Sequence, residues 1–464
     1  MTFERWVNIY IITNDERLRG GVGPPDRDTE KTGQTHRSAP TYITFFYMKS
    51  LRSLFRIGLG PSSSHTMGPN RAAKIFAERC PAVDSYRVTL YGSLAATGEG
   101  HMTDVAIMTV LEPIAKLEII WKPDTFLPFH PNGMLFEGIR EGKVIDQWTI
   151  YSIGGGELAN EHTTKNEEDI YPLTTIHDIM DWCDDTGCSF WEYVEKYEGK
   201  EIWDFLSTVW ETMKATIQRG LENEGVLPGG LGIQRKANTY MNKSMSYSSA
   251  VASKAKVYAY ALATSEENAS GSTIVTSPTC GSSGVLPAVL YHLHTSHNCS
   301  DARILRALAT AGLFGNVAKE HASISGADVG CQGEIGVACA MAAAAACQLF
   351  GGTINQIEYA AEMGLEHHLG LTCDPLCGLV QVPCIERNAI AASRALDACT
   401  YSALSDGKHK IDYDRIVEVM KETGHDLPSL YKETSTGGIA KIDINKRRGF
   451  KKILDTLHIH KKND

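Results

Sequence analysis

The chain has 464 residues, 43% hydrophobic and 22% charged, which excludes disorder and collagen-like structure and leaves room for about two to four packed domains. A formal charge of −10 argues against nucleic acid as the main partner. The opening MTFERWVNIYIITNDERLRGGVG lacks the basic start and long apolar run of a secretory leader, so a cytoplasmic location is expected; there disulfides are rare, and twelve cysteines point to metal ligation or catalysis.

Residues 1–47 read as an extension upstream of Met48, where the first strongly patterned segment, FFYMKSLRSLFRIGLG, is centred. Next comes GPSSSHTMGPN, which sets three serines beside His65. YRVTLY from Tyr86 alternates as a strand; GSLAATGEGH turns the chain into a helix-like TDVAIMTVLEPIAKL, and LEIIWKP is a second strand. Pro131-Asn132-Gly133 between extended runs signals a hairpin, and KVIDQWTIYSIGGG supplies another strand. Residues 48–174 are therefore expected to form a small α/β domain on a mostly antiparallel sheet.

After Leu173 apolar positions recur at three and four residues with charges on the opposite face, so residues 175–464 are expected to form a larger, mainly α-helical domain, giving an α+β chain. Glycine-rich joints interrupt the helices at VLPGGLG, SPTCGSSGV, SISGADVGCQG and CDPLCGLVQVPC, and sites tend to lie at such joints. IGVACAMAAAAACQLF, from Ile335, is shorter than the roughly 20 residues of a membrane helix and reads as a buried one. The basic end, KIDINKRRGFKKILDTLHIHKKND, reads as a solvated helix face.

Cys331, Cys339 and Cys347 are spaced by eight, about 2.2 helical turns, which puts the last two on one buried face as packing residues. Cys331 differs because it sits in the glycine-rich entry to that helix. Cys373 and Cys384, in LTCDPLCGLVQVPC, each lie beside or near a proline that breaks regular structure. Three loop cysteines are compatible with zinc, with an iron–sulfur cluster having one iron open to substrate, or with plain packing; the paired spacing of structural zinc sites is absent.

GPSSSHTMGP, SPTCGSSGVLPAVL, ISGADVGCQGEIGVACAMAAAA and LEHHLGLTCDPLCGLVQVPCIERNAIAA, in this order along the chain, together resemble the iron–sulfur-dependent L-serine dehydratases, or L-serine ammonia-lyases, whose motifs follow the same order. The resemblance runs from Met48 to about residue 455. It implies a [4Fe-4S] cluster on Cys331, Cys373 and Cys384, L-serine as substrate, and the single-chain form of the enzyme. Some relatives end in a cysteine that caps the fourth iron; nothing after Cys399 offers one here. The alternatives are the same cluster serving cysteine desulfidation or hydroxy-acid dehydration, and a non-catalytic iron–sulfur sensor.

Serine dehydration needs help with a poor leaving group and a weakly acidic α-proton. An open iron answers the first and a positioned base the second. His65 and His101 are the candidate bases, and the sequence does not separate them. Ser62, Ser63, Ser64 and Thr66 offer hydroxyls and amides at a helix start, suited to a substrate carboxylate or to capping the helix. SPTCGSSG, with Thr279 and Gly281, has the composition of an anion-binding nest, and Cys280 within it is left outside the cluster. Arg387 either pairs with a carboxylate or bridges helices. Partners beyond substrate are expected to be a second copy of the chain in a homodimer, with neither nucleic acid nor membrane.

Overall fold

The alternating and breaker residues of the first third give a sheet with two helices on it. The computed structural model describes residues 47–161, 169–434 and 436–442. All but the last residue of the expected extension, residues 1–47, and most of the basic end therefore lie outside the described residues. In chain order come β1 (Met48–Lys49), β2 (Ile57–Leu59), a π-helical turn (Ser63–Met67) continuing into α1 (Gly68–Arg79), β3 (Ser85–Tyr91), α2 (Gly92–Thr97), α3 (Thr103–Leu111), β4 (Lys116–Lys122), β5 (Gly133–Arg140), β6 (Lys143–Gly154) and β7 (Glu157–Ala159). The five-stranded sheet runs β4-β3-β5-β6-β7, parallel between β3 and β4 and antiparallel elsewhere. Ala72, Ala73 and Phe76 of α1 and Ile107 and Leu111 of α3 pack on Val88, Leu90 and Phe136, all fully buried. Burial of each larger side chain among them contributes about 1.5–3 kcal/mol.

Two local expectations are corrected. The helix expected to run to Leu117 stops at Leu111, because Pro113 disfavours helical backbone at Glu112 and cannot itself extend the ladder, and the chain is already in β4 at Lys116. The hairpin does not turn at Pro131-Asn132-Gly133. It turns at Glu141-Gly142, both at positive φ (51° and 73°), the two-residue geometry that matches strand twist, with Arg140 opposite Lys143.

The rest is helical: after β8 (Asp169–Tyr171) come α4 (Ile176–Thr186), α5 (Phe190–Glu198), α6 (Ile202–Glu222), α7 (Ala237–Ser244), α8 (Ser249–Ala269), β9 (Thr273–Val275), α9 (Val285–His297), α10 (Asp301–His321), α11 (Gly326–Val329), α12 (Val337–Leu349), α13 (Ile354–Glu366), α14 (Cys384–Ala403) and α15 (Tyr413–Asp426). α12, the alanine-rich segment, is the axis of this part, packed on α9, α10, α13 and α14 with Cys339 and Cys347 fully buried. Its small side chains allow that close approach on every side. Among the described residues no helix is long and apolar enough to cross a membrane.

Two short strand pairs position the site. β1 pairs with β8, and β2 pairs antiparallel with β9, Ile57 opposite Val275 and Leu59 opposite Thr273. β2 leads directly into the serine and histidine run, and β9 leads into SPTCGSSG. One ladder thus fixes two motifs more than 200 residues apart in sequence beside each other.

Candidate active site

The two histidine segments are stitched together by hydroxyls. Ser62 caps the π-helical turn, its side chain accepting from the His65 amide at 3.1 Å. Thr66 Oγ1 accepts from Ser62 N at 3.1 Å and donates to His101 O at 2.7 Å, while Thr103 Oγ1 donates to His65 O at 2.6 Å. The rings consequently stand 4.6 Å apart, both with no exposed surface.

Their hydrogen bonds give the rings different capacities. His65 Nδ1 bonds Ser64 Oγ at 2.9 Å and its Nε2 bonds Ser93 Oγ at 3.1 Å, so both nitrogens are engaged. His101 Nδ1 lies 2.9 Å from the Thr97 carbonyl, which can only accept; Nδ1 therefore carries the hydrogen and Nε2 keeps its lone pair. That Nε2 is buried and has no hydrogen-bond partner among the described residues. Burial, reinforced by His101, holds His65 well below the usual imidazole range, and burial lowers His101 to about 4. Both rings are neutral at physiological pH.

Facing them is a set of thiols and carboxyls. Cys331 precedes a second π-helical turn (Gln332–Gly336), Cys373 lies in the loop after α13, and Cys384 opens α14. Ligand atoms of Cys331, Glu334 and Cys373 all fall within 4.8 Å of one another, with Glu334 Oε2 3.5 Å from Cys331 Sγ and 3.9 Å from Cys373 Sγ. Cys384 falls outside that group of three but lines the same cavity, as do Ser62, Ser63, His101 and Gly281. The cavity measures about 20 Å³. Hydrogen bonding to Cys331 and burial push the Cys373 thiol well above its ordinary value, and burial beside Cys331 does the same to Cys384. Burial also raises Glu334 against the opposing hydrogen bond from Thr279.

Other expected residues are nearby in supporting positions. Thr279 Oγ1 donates to Glu334 Oε1 at 2.8 Å, and a Cβ at Gly281 would come within 3.0 Å of that oxygen. Arg387 sits behind the Cys373 loop, donating to Thr372 O at 2.7 Å with Asp374 3.8 Å away, in place of an interhelical bridge. Ser64 and Thr66 are spent on His65 and on joining the two segments. Lys319 is ion-paired to Glu157 at 3.0 Å, so its amine is engaged as a structural cation.

Two residues of the site escaped sequence reasoning. Glu334 was accessible in principle, standing three residues after Cys331, one helical turn along the same face. Glu433 carried no signal. It belongs to a strap after α15 that binds the cysteine loop, Cys373 N donating to Tyr431 O at 2.8 Å and Glu433 N to Cys373 O at 2.7 Å. The strap brings its carboxyl oxygen to 3.7 Å from His65 Nδ1 and 3.6 Å from His101 Nε2. Burial, with Glu334 adding to it, raises Glu433 to about 8.

Comparison with known proteins matches both halves. Residues 50–116 match the model of the serine dehydratase beta chain and residues 135–440 that of the serine dehydratase alpha chain. The chain is 40% identical to an L-serine dehydratase of Streptomyces coelicolor over 84% of its length and 98% of the relative's. It is 39% identical to L-serine dehydratase 1 of Escherichia coli over 85% of its length and 99% of the relative's. An L-serine dehydratase of Mycobacterium tuberculosis is similar at 40% identity, over 84% of this chain and 97% of that one.

Proposed function

The chain belongs to the serine dehydratase family, and from that premise we propose that it dehydrates L-serine in the cavity between His101 and the three cysteines, Cys331, Cys373 and Cys384, with those cysteines holding a [4Fe-4S] cluster. It is an enzyme, a lyase that converts L-serine to pyruvate and ammonia. The observation carrying the proposal is that one neutral histidine nitrogen with a free lone pair opens onto the same buried cavity as the thiols.

The donor chemistry fits the cluster. Soft thiolates are its ordinary ligands, and three of them leave one iron open. The backbone beside the donors is free of a side chain that would crowd them: a Cβ at Gly326 would come within 2.7 Å of Glu334 Oε2 and 3.0 Å of Cys373 Sγ. When bound, the cluster supplies a Lewis-acidic iron that stabilises the departing hydroxyl without a redox step.

The remaining work falls to this chain's own residues. Ser62 and Ser63 line the cavity at the start of a helix, where amides and hydroxyls suit the substrate carboxylate. His101 Nε2 takes the α-proton, a contribution of roughly 10² to 10⁴ in rate. His65, tied at both nitrogens, fixes the wall against which His101 stands. The α-proton and the hydroxyl leave as water, and the aminoacrylate that remains tautomerises and hydrolyses to pyruvate and ammonia. Exclusion of bulk water by the buried walls protects the carbanion-like transition state from reprotonation.

The proposal extends to a cytoplasmic homodimer whose α/β part is residues 48–174 and whose catalytic part is residues 175–464. Protein purified without oxygen is expected to contain iron and sulfide, to form pyruvate from L-serine, and to lose both properties in air. Activity that survives air and chelators but requires pyridoxal phosphate would overturn it.

A further inference from the structure

Serine enters such a site as a zwitterion, and the proposed residues account for its carboxylate, hydroxyl and α-proton but leave its ammonium without a counter-charge. Burying an ammonium unpaired is costly, so some acceptor must face it. The cavity wall offers two carboxyls, Glu334 and Glu433. Glu334 is committed, accepting from Thr279 Oγ1 at 2.8 Å and standing between the Cys331 and Cys373 sulfurs.

Glu433 is differently placed. Its carboxyl is on the histidine side, 3.6 and 3.7 Å from the two imidazole nitrogens, beyond the range of a proper hydrogen bond to either. Its side chain keeps 11% of its surface while His65 and His101 keep almost none, and it lines the cavity. The backbone holds it there in a conformation that a non-glycine residue seldom adopts, φ +56°. Such a conformation persists where surrounding structure enforces it, and here both flanks of the strap are hydrogen-bonded to Cys373. The carboxyl is thus held in register with a cysteine of the proposed cluster site and with the nitrogen assigned to the α-proton. An amino group on the carbon that loses that proton would lie next to it, and the ammonium's own charge would favour the carboxylate form of Glu433 against the burial that otherwise keeps it protonated.

We propose that Glu433 is the specificity-determining residue that accepts the α-ammonium of the substrate, selecting amino acids over hydroxy acids. The inference rests on the L-serine reading above. It adds a ligand contact to a strap that has no other assigned role.

The test uses the holoenzyme and two probes, L-serine and 3-hydroxypropanoate, which keeps the carboxylate and hydroxyl but lacks the ammonium. Binding of each is measured by calorimetry alongside pyruvate formation. Glu433→Gln is expected to weaken L-serine binding and raise its KM by about 10- to 100-fold, the range of a charge-assisted hydrogen bond, with 3-hydroxypropanoate affinity unchanged within about threefold. Glu433→Asp should restore part of the serine affinity and none of any effect on the other probe. Equal weakening of both probes, or a fall in kcat with serine affinity intact, would overturn the proposal and make Glu433 a support for the histidines. If Glu433→Gln does not fold, the Glu433→Asp comparison decides alone on the same criterion. Failure of the L-serine reading itself is separately visible, because wild-type holoenzyme would then neither bind L-serine nor make pyruvate.

Discussion

The two walls of the cavity are built on opposite principles. The histidine wall, from the α/β part, is finished by the chain itself: Ser62, Ser64, Thr66, Ser93 and Thr103 each satisfy a backbone or ring atom of the pair, and both rings are neutral. The cysteine wall, from the helical part, gathers Cys331, Cys373, Cys384 and Glu334, and burial and the neighbouring acidic groups hold the protons of Cys373, Cys384 and Glu334 on. One wall is organised by hydrogen bonds and should be indifferent to metal. The other is a set of like groups whose crowding a positively charged ligand would relieve.

Breaking the cysteine wall should have the largest effect. Cys373→Ser is expected to remove bound iron and lower kcat by roughly 10³-fold or more, the Lewis-acid contribution being several kcal/mol. Circular dichroism should show the helices intact, because α12 and its neighbours bury their own apolar core. His101→Gln, on the other wall, should lower kcat by roughly 10² to 10⁴ while iron content stays at the wild-type value. His65→Gln should be milder than His101→Gln, and the opposite order would exchange the roles given to the two rings.

The histidine wall should also show itself in acid. Because His101 is lowered from 6.5 to about 4 in the folded chain, the unfolded chain binds the extra proton first as pH falls. Its contribution to stability is complete above pH 6.5 and lost on acidification toward 4, a difference of about 3 kcal/mol. Urea unfolding at pH 7 and pH 5 should therefore show a smaller acid loss in His101→Gln than in wild type.

Much of this contrast was legible in the sequence, and the missing parts have physical causes. The candidate cysteines, histidines and hydroxyls all sit in short glycine- or proline-flanked runs, and local composition marks such runs. The tautomer of His101 was not legible, since it depends on a carbonyl, Thr97 O, whose position is set by the turn after α2. Glu433 was invisible because its role arises from a strap crossing the cysteine loop, a contact between residues 60 apart with no periodicity behind it. The misplaced hairpin has a similar lesson: Pro-Asn-Gly is a good turn, yet Glu141-Gly142 better suits two strands in direct register.

Two finer substitutions sharpen the comparison. Gly326→Ala places a methyl within 2.7 Å of Glu334 and 3.0 Å of Cys373 Sγ, so iron retention during dialysis should fall about 10- to 100-fold, the scale of changes just behind metal ligands. Thr103→Val removes one hydrogen bond to His65 O and should cost about 1 kcal/mol of stability in urea, with iron content unaffected.

Iron and acid-labile sulfide, measured on protein purified without oxygen and assayed in parallel for pyruvate from L-serine, test the three-cysteine site most directly. The expected result is about four of each per active chain, falling together with activity on exposure to air. Stoichiometric zinc without sulfide, or full serine dehydration in protein free of iron, would contradict it.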